Sequence, residues 1–251
     1  MNSFLSNAAV PQPCPRTRIK VCGLTREEDI DAVAAAGVDA VGFVLYPPSA
    51  RFVTAERAAE LVRGLPPFVT PVLLFVNASL ADIKAACALI PGAVVQFHGD
   101  ETPEACQAIE RPFLRAARIP LGDFGHLAED ASRRFDLVNY VHNFNAAQAI
   151  LLDAHVDGYG GGGKTFNWSL LPPNVNAHLV LSGGLTPANV TDGIQEVRPR
   201  CLSLAVDVSS GVEVSKGIKS AALINQFVAA VRAADTHLAE RFHSHVCLPT
   251  T

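Results

Sequence analysis

The chain repeats one phrase eight times: a short apolar run, a turn, then a stretch with helical spacing. The runs are Ile19–Cys22, Ala40–Val44, Thr70–Val76, Ala93–Phe97, Phe113–Ala117, Ala149–Asp153, His178–Ser182 and Leu202–Val206. Between them lie helical patterns such as "REEDIDAVAAAG", "TAERAAELVRG" and "SLADIKAACALI". "PANVTDGIQEVRP" carries a proline in its expected first turn, and "GIKSAALINQFVAAVRAA" closes the series. Strict alternation of strand and helix implies a parallel sheet with crossover helices. Strands with apolar cores imply a sheet covered on both faces. Eight repeats count out a closed (β/α)8 TIM barrel, an α/β fold, better than an open sheet. The beat is least regular between residues 121 and 148.

A barrel of this kind fits 251 residues as a single domain, and no linker-like shift in composition interrupts the beat. The barrel is expected over 18–234, with an N-terminal arm at 1–17 and a C-terminal tail at 235–251. Neither flank supplies a strand, so removal of Met1–Pro15 and Thr236–Thr251 is expected to spare activity.

Composition narrows the function classes. Hydrophobic residues make up 49% of the chain and the formal net charge is only -4, so a large core is available. Basic runs with interleaved aromatics are missing, which argues against nucleic acid. Apolar stretches fall short of the roughly 20 residues of a membrane helix, so no membrane partner is expected. The N-terminal "MNSFLSNAAVPQPCP" lacks a basic start and a continuous apolar segment, and reads as an arm of a cytoplasmic protein. Six scattered cysteines with no C-x-x-C pair signal neither a disulfide framework nor a zinc site. The tail "HLAERFHSHVC" gathers His237, His243, His245 and Cys247, and reads as a solvated tail rather than a metal site.

Barrels of this class place their chemistry at the C-terminal ends of the strands. Cys22 ends the first run, and period-two alternation puts Lys20 on its face. His98 follows the fourth run on the face of Gln96, Asp153 ends the sixth, and Asp207 follows the eighth. Each alone is unremarkable, but polar groups converging at four strand ends are not ordinary core. Glycine concentrates after the last three runs, in "GYGGGGKTFNW", "SGGL" and "DVSSGVE". Glycine lets backbone N–H groups approach an anion and permits positive φ. The loops after strands seven and eight are a recurrent phosphate site in these barrels. Tight turns alone would also explain the glycines. Phe166 and Trp168, beside the glycine run, read as packing residues.

These pieces occur in one order: "KVCGLT", "DAVGFVLYPPSARFV", "VQFHGDE", "LLDAHVDGYGGGGKTFNW", "LSGGLTPANV" and "AVDVSSGVE". Together, over roughly Arg18 to Arg232, they resemble phosphoribosylanthranilate isomerase, the third-step enzyme of tryptophan biosynthesis from anthranilate. The resemblance implies an Amadori rearrangement of N-(5′-phosphoribosyl)anthranilate to the 1-deoxyribulose 5-phosphate derivative. It implies no metal, no organic cofactor, a small phosphosugar substrate as partner, and a monomer or homodimer. It places the general base on Cys22, the general acid on Asp153 and the partner of the aryl carboxylate on Arg51. His98 and Asp207 match polar positions lining the substrate pocket. Phosphate-binding positions fall on Gly161, Gly162, Gly163 and Lys164, on Gly183 and Gly184, and on Ser209, Ser210 and Gly211. The four-glycine run departs from the more varied glycine loop of the family.

The reaction requires an acid for the ribose ring oxygen and a base for the C2′ proton. Unperturbed aspartate titrates at about 3.9 and cysteine at about 8.5, each on the wrong side of neutrality for its task. Burial is expected to raise the aspartate. Thr25 and Glu28 fit a capping box, which predicts a helix N-terminus just after Cys22 that, with Lys20, favours the thiolate. Rival readings are another phosphosugar barrel or a protein that binds such a sugar without turnover. A Schiff-base aldolase would need a lysine, for which only Lys20 and Lys164 lie near the mouth. A metal-dependent epimerase would need His and acidic ligands clustered at strand ends, which the sequence lacks.

Overall fold

The computed structural model describes residues 16–120, 135–154 and 165–246, and side chains as far as residue 241. Eight parallel strands close into a barrel in chain order. They are β1 (Arg18–Cys22), β2 (Ala40–Val44), β3 (Thr70–Phe75) and β4 (Val94–Phe97), then β5 (Phe113–Ile119), β6 (Ala149–Ala154), β7 (His178–Leu181) and β8 (Ser203–Val208). Helices α1 (Glu27–Ala36), α2 (Ala55–Val62), α3 (Leu80–Leu89), α4 (Pro103–Gln107) and α5 (Leu137–Asn143) follow the first five strands. Helix α6 (Val190–Val197) follows β7, and α7 (Ala221–Val246) ends the described chain. Thr54, Ser79 and Thr102 start α2, α3 and α4, each accepting a backbone N–H three residues on. Such a cap contributes about 1 kcal/mol.

Alternation along the strands sorts the side chains into two populations. One set, including Ile19, Val21, Phe43, Leu73, Phe75, Val95, Leu152, Leu181 and Val206, joins the main core with buried residues of the helices, such as Ile30, Leu61, Ile83 and Ile194. The other set fills the inside of the barrel. Ala116, Leu151 and Val180 cluster on one side, and Cys22, Val44, Leu74 and Val76 cluster near the mouth. Lys20, Gln96 and Asp207 share this interior parity and are buried with it.

The eightfold beat holds for the strands and bends elsewhere. Between β8 and α7 lies an extra antiparallel hairpin, β9 (Glu213–Ser215) and β10 (Ile218–Lys219). The stretch "GIK", expected to open the last helix, is therefore strand and turn. Helix α6 starts at Val190, after Pro187 rather than around it. Among the described residues the connection after β6 contributes only a 3-10 turn, Trp168–Leu170. The expected capping box is also not formed. Helix α1 starts at Glu27, and the Thr25 hydroxyl donates instead to the Gly217 carbonyl at 2.9 Å.

The boundaries drawn at 17/18 and 234/235 do not coincide with breaks in the structure. Thr17 is fully buried, its N–H donates to Asp235 at 2.8 Å, and its hydroxyl bonds the same carboxylate. Arg198 reaches this pair too, 3.1 Å from Asp235. Helix α7 runs past residue 234 without interruption and buries Leu238 in the core. A cut before Thr236 would thus remove packed structure, whereas residues 1–15 and 247–251 lie outside the described residues. Asp235→Ala should cost about 2–4 kcal/mol, because it takes one charged partner from the buried Arg198 and the acceptor from the Thr17 amide and hydroxyl. Denaturant midpoints with an unchanged slope would measure it; a shift under about 0.5 kcal/mol would show that the clamp does not hold α7 to the barrel.

Candidate active site

The barrel closes where β1 meets β8, and the register places Lys20 directly opposite Asp207. Their charged groups meet at 2.9 Å with both side chains almost fully buried. Burial works against the ammonium, but Asp207 and the neighbouring Cys22 outweigh it and raise the Lys20 pKa. Asp207 is pushed up by burial, opposed by Lys20 and reinforced by the nearby Asp153. The ion pair thus sits electrically between the two sides of the mouth.

Cys22 ends β1, one alternation above Lys20, and is buried. Its room comes from Gly42, its register partner on β2. A Cβ at Gly42 would lie 2.5 Å from the Cys22 sulfur and 3.1 Å from its Cα. The expectation of a favoured thiolate is corrected here. Burial pushes the thiol up from its ordinary value, and Lys20 and Lys219 only partly offset this. The helix end invoked for the thiolate is not available, since α1 starts five residues on and carries Glu27, Glu28 and Asp29 in its first turn.

Across the mouth, Asp153 near the end of β6 is buried, and its Oδ2 lies 2.9 Å from Nε2 of His98. The other ring nitrogen, Nδ1, faces the Gln96 amide nitrogen at 3.2 Å. When that amide donates, Nε2 carries the ring proton and donates it to Asp153. Gly183 makes this placement possible: a Cβ there would meet Ala154 N at 2.5 Å and Asp153 Oδ1 at 2.9 Å.

Arg51, in the segment after β2, does not stand alone. Its Nε and Nη2 both donate to Glu213 at 2.8 Å, and Lys219 donates to the same carboxylate at 2.7 Å. Lys219 also donates to the Ser209 carbonyl at 3.1 Å, and Ser209 donates its hydroxyl to the Cys22 carbonyl at 3.0 Å. The loops after β7 and β8 pack together. Gly183 and Gly184 have φ of 78° and 66°, and a Cβ on Gly211 would lie 1.9 Å from the Leu185 carbonyl oxygen. Ser210 and Gly211 form a 3-10 turn after Ser209. Turn geometry and close approach therefore both demand glycine here. Gly161, Gly162, Gly163 and Lys164 lie outside the described residues. Phe166 is core and Trp168 packs against it.

The structure thus brings Cys22, Lys20, Asp207, His98 and Asp153 together at one mouth, with Arg51 and the glycine loops at its rim. Sequence reasoning missed Gly42, Glu213 and Lys219. A glycine inside an apolar strand, as in "AVGFV", is a readable sign of close approach. Glu213 and Lys219 flank "VSKGI", a hairpin signal that the helical reading absorbed. Among the described residues no group of three or more His, Cys, Asp or Glu is placed to hold a metal ion, and no helix is long and apolar enough to cross a membrane.

Residues 19–230 match the family model of N-(5′-phosphoribosyl)anthranilate (PRA) isomerase. A protein of Methylibium petroleiphilum with that isomerase name is 58% identical over 224 residues, 89% of this chain and 98% of its own. The crystal structure of phosphoribosyl anthranilate isomerase from Thermotoga maritima superposes with a TM-score of 0.72 at 39% identity, covering 86% of this chain and 99% of the other. A second structure, the isomerase in complex with reduced 1-(o-carboxyphenylamino)-1-deoxyribulose 5-phosphate, gives 0.69 at 36% identity, with 86% and 99% covered.

Burial of Cys22 makes a direct prediction. A thiol held above its ordinary value should be alkylated by iodoacetamide with a pH midpoint above that of a free cysteine. The sign for stability is the same. The unfolded chain releases this proton first, so the contribution of the neutral thiol is full below the ordinary value and is lost as pH rises through the raised one. An alkylation midpoint below that of a free cysteine, read by mass spectrometry at Cys22, would show that the two lysines outweigh burial.

Proposed function

Because the chain belongs to the N-(5′-phosphoribosyl)anthranilate isomerase family, we propose a division of labour at its mouth in which Asp153 is the general acid and Cys22 the general base. The chain is an isomerase of tryptophan biosynthesis, acting on N-(5′-phosphoribosyl)anthranilate. Asp153 gives a proton to the ribose ring oxygen as the C1′–O bond breaks, and the nitrogen lone pair forms a C1′=N iminium. Cys22, as thiolate, then takes the C2′ proton. The C2′–H electron pair forms a C1′=C2′ bond as the iminium electrons return to nitrogen. The enolamine then takes a proton at C1′ while the C2′ hydroxyl gives one up, leaving the ketone at C2′.

One observation carries this reading: Cys22 and Asp153 end strands on different sides of one closed mouth, each with a polar support of its own. His98 holds the Asp153 carboxylate, while Lys20 and Lys219 supply the positive charge that a Cys22 thiolate needs. Asp207 keeps Lys20 charged and in place. Arg51 takes the aryl carboxylate in a charge-assisted pair. Backbone N–H groups of Gly183, Gly184, Ser209, Ser210 and Gly211 take the phosphate, with Gly161, Gly162, Gly163 and Lys164 completing the clamp. Holding a dianion at one end and a carboxylate at the other makes both proton transfers local. The cytoplasm is the setting proposed for this step.

Cys22→Ala and Asp153→Asn should each lower kcat by about 10²–10⁴-fold, the usual worth of one acid or base. Competitive inhibition by inorganic phosphate should survive in both, since the clamp lies on other loops. Turnover would be followed by the loss of phosphoribosylanthranilate fluorescence. Wild-type kcat in either variant would remove that residue from the chemistry, and a raised KM at unchanged kcat would reassign it to binding.

A further inference from the structure

The orientation of Arg51 is decided by the element that lies outside the eightfold pattern. Hairpin β9–β10 is tied to the barrel mouth on several sides. Thr25 donates to the Gly217 carbonyl at 2.9 Å, and the Lys219 amide donates to the buried Asp29 carboxylate at 3.3 Å. At its turn, Gly217 has φ 81° and comes so near the Arg51 segment that a Cβ would lie 3.0 Å from the Ala50 carbonyl oxygen. Glu213 and Lys219 are cross-strand partners at the open end of the hairpin. The Glu213 carboxylate is braced by Lys219 on one side and grips Arg51 on the other, with its side chain only 5% exposed. Beneath this grip the Arg51 stem crosses Gly23, where a Cβ would lie 2.5 Å from the arginine Cδ.

A guanidinium is a planar fork that can meet two carboxylates on two edges. Glu213 occupies the Nε–Nη2 edge of Arg51, which fixes the plane and leaves the Nη1–Nη2 edge for a second anion. We propose that Glu213 is a positioning residue that, carried on hairpin β9–β10 and braced by Lys219, aims the Nη1–Nη2 edge of Arg51 at the aryl carboxylate of the substrate. The proposal rests on the reading of Arg51 given above. Glu213 acts through Arg51 and takes no part in proton transfer, so its loss falls on the carboxylate end of binding. Its charge also offsets one of the two cations it touches, leaving a net positive rim for an anionic substrate.

The test uses the full chain as wild type, Arg51→Ala, Glu213→Gln, Glu213→Asp and the double variant Arg51→Ala/Glu213→Gln. Two probes separate the ends of the substrate: reduced 1-(o-carboxyphenylamino)-1-deoxyribulose 5-phosphate by calorimetry, and inorganic phosphate by inhibition. Arg51→Ala should weaken the analogue about 30-fold and Glu213→Gln about tenfold, within the range of a charged hydrogen-bonded pair, with phosphate inhibition changed less than about twofold. Glu213→Asp keeps the charge but withdraws it by one methylene, and should weaken the analogue about as much as Glu213→Gln, so the result does not depend on one variant folding. In the Arg51→Ala background Glu213→Gln should add less than about twofold, because the two act as a unit. For the substrate, KM should rise more than kcat falls. Analogue binding at or above wild-type strength in both Glu213 variants, with Arg51→Ala weakened, would overturn the proposal and leave the Arg51 reading standing. Equal losses for analogue and phosphate would also overturn it, as a general structural effect. Unchanged binding in Arg51→Ala would remove the carboxylate reading itself and the proposal with it.

Discussion

The mouth of this barrel is organised around one buried ion pair, Lys20 with Asp207, set across the seam where the first strand meets the last. Removing two charges from water is costly, and such a pair is weak evidence for stability. Its consequence is positional. Neither partner can leave the other without stranding a charge, so both stay in the interior layer beside Cys22 and Asp153. Lys20 lends positive charge to Cys22, and Asp207 feels Asp153 and His98. Closure of the sheet and the electrostatics of the site are one arrangement.

Two further constraints are steric. Gly42 and Gly183 each give up a Cβ so that a functional side chain can occupy its place, Cys22 in one case and Asp153 in the other. Cys22 and Asp153 therefore owe their positions to what neighbouring strands and loops leave out. Burial that makes room for Cys22 also penalises its thiolate. The two lysines are the counterweight, and Lys219 comes from a hairpin that the simple repeat does not contain.

That hairpin shows where a local reading of sequence stops. Thr25 and Glu28 have the spacing of a capping box, and a box would place a positive helix end near Cys22. The Thr25 hydroxyl is claimed instead by Gly217, nearly two hundred residues away in the chain. No local pattern can anticipate such a competitor, because its advantage exists only once the barrel has closed. The same holds for Arg51. Its segment is recognisable in sequence, but Glu213 becomes its partner only through the fold-back of β9 and β10.

The sequence by itself determined the eight barrel strands and their parallel order, because a period-two apolar run and a period-3.6 helix are written in neighbouring residues. It also marked Cys22, His98, Asp153 and Asp207, since in a barrel of this kind a polar residue at a strand end is a statement about the mouth. Tertiary structure alone decided how those residues are charged and held. The Lys20–Asp207 register, the burial that opposes the Cys22 thiolate, the His98 contact to Asp153 and the Glu213 grip on Arg51 each join residues far apart in the chain. Their energies depend on distance and desolvation, and neither quantity is a property of a residue's neighbours in sequence.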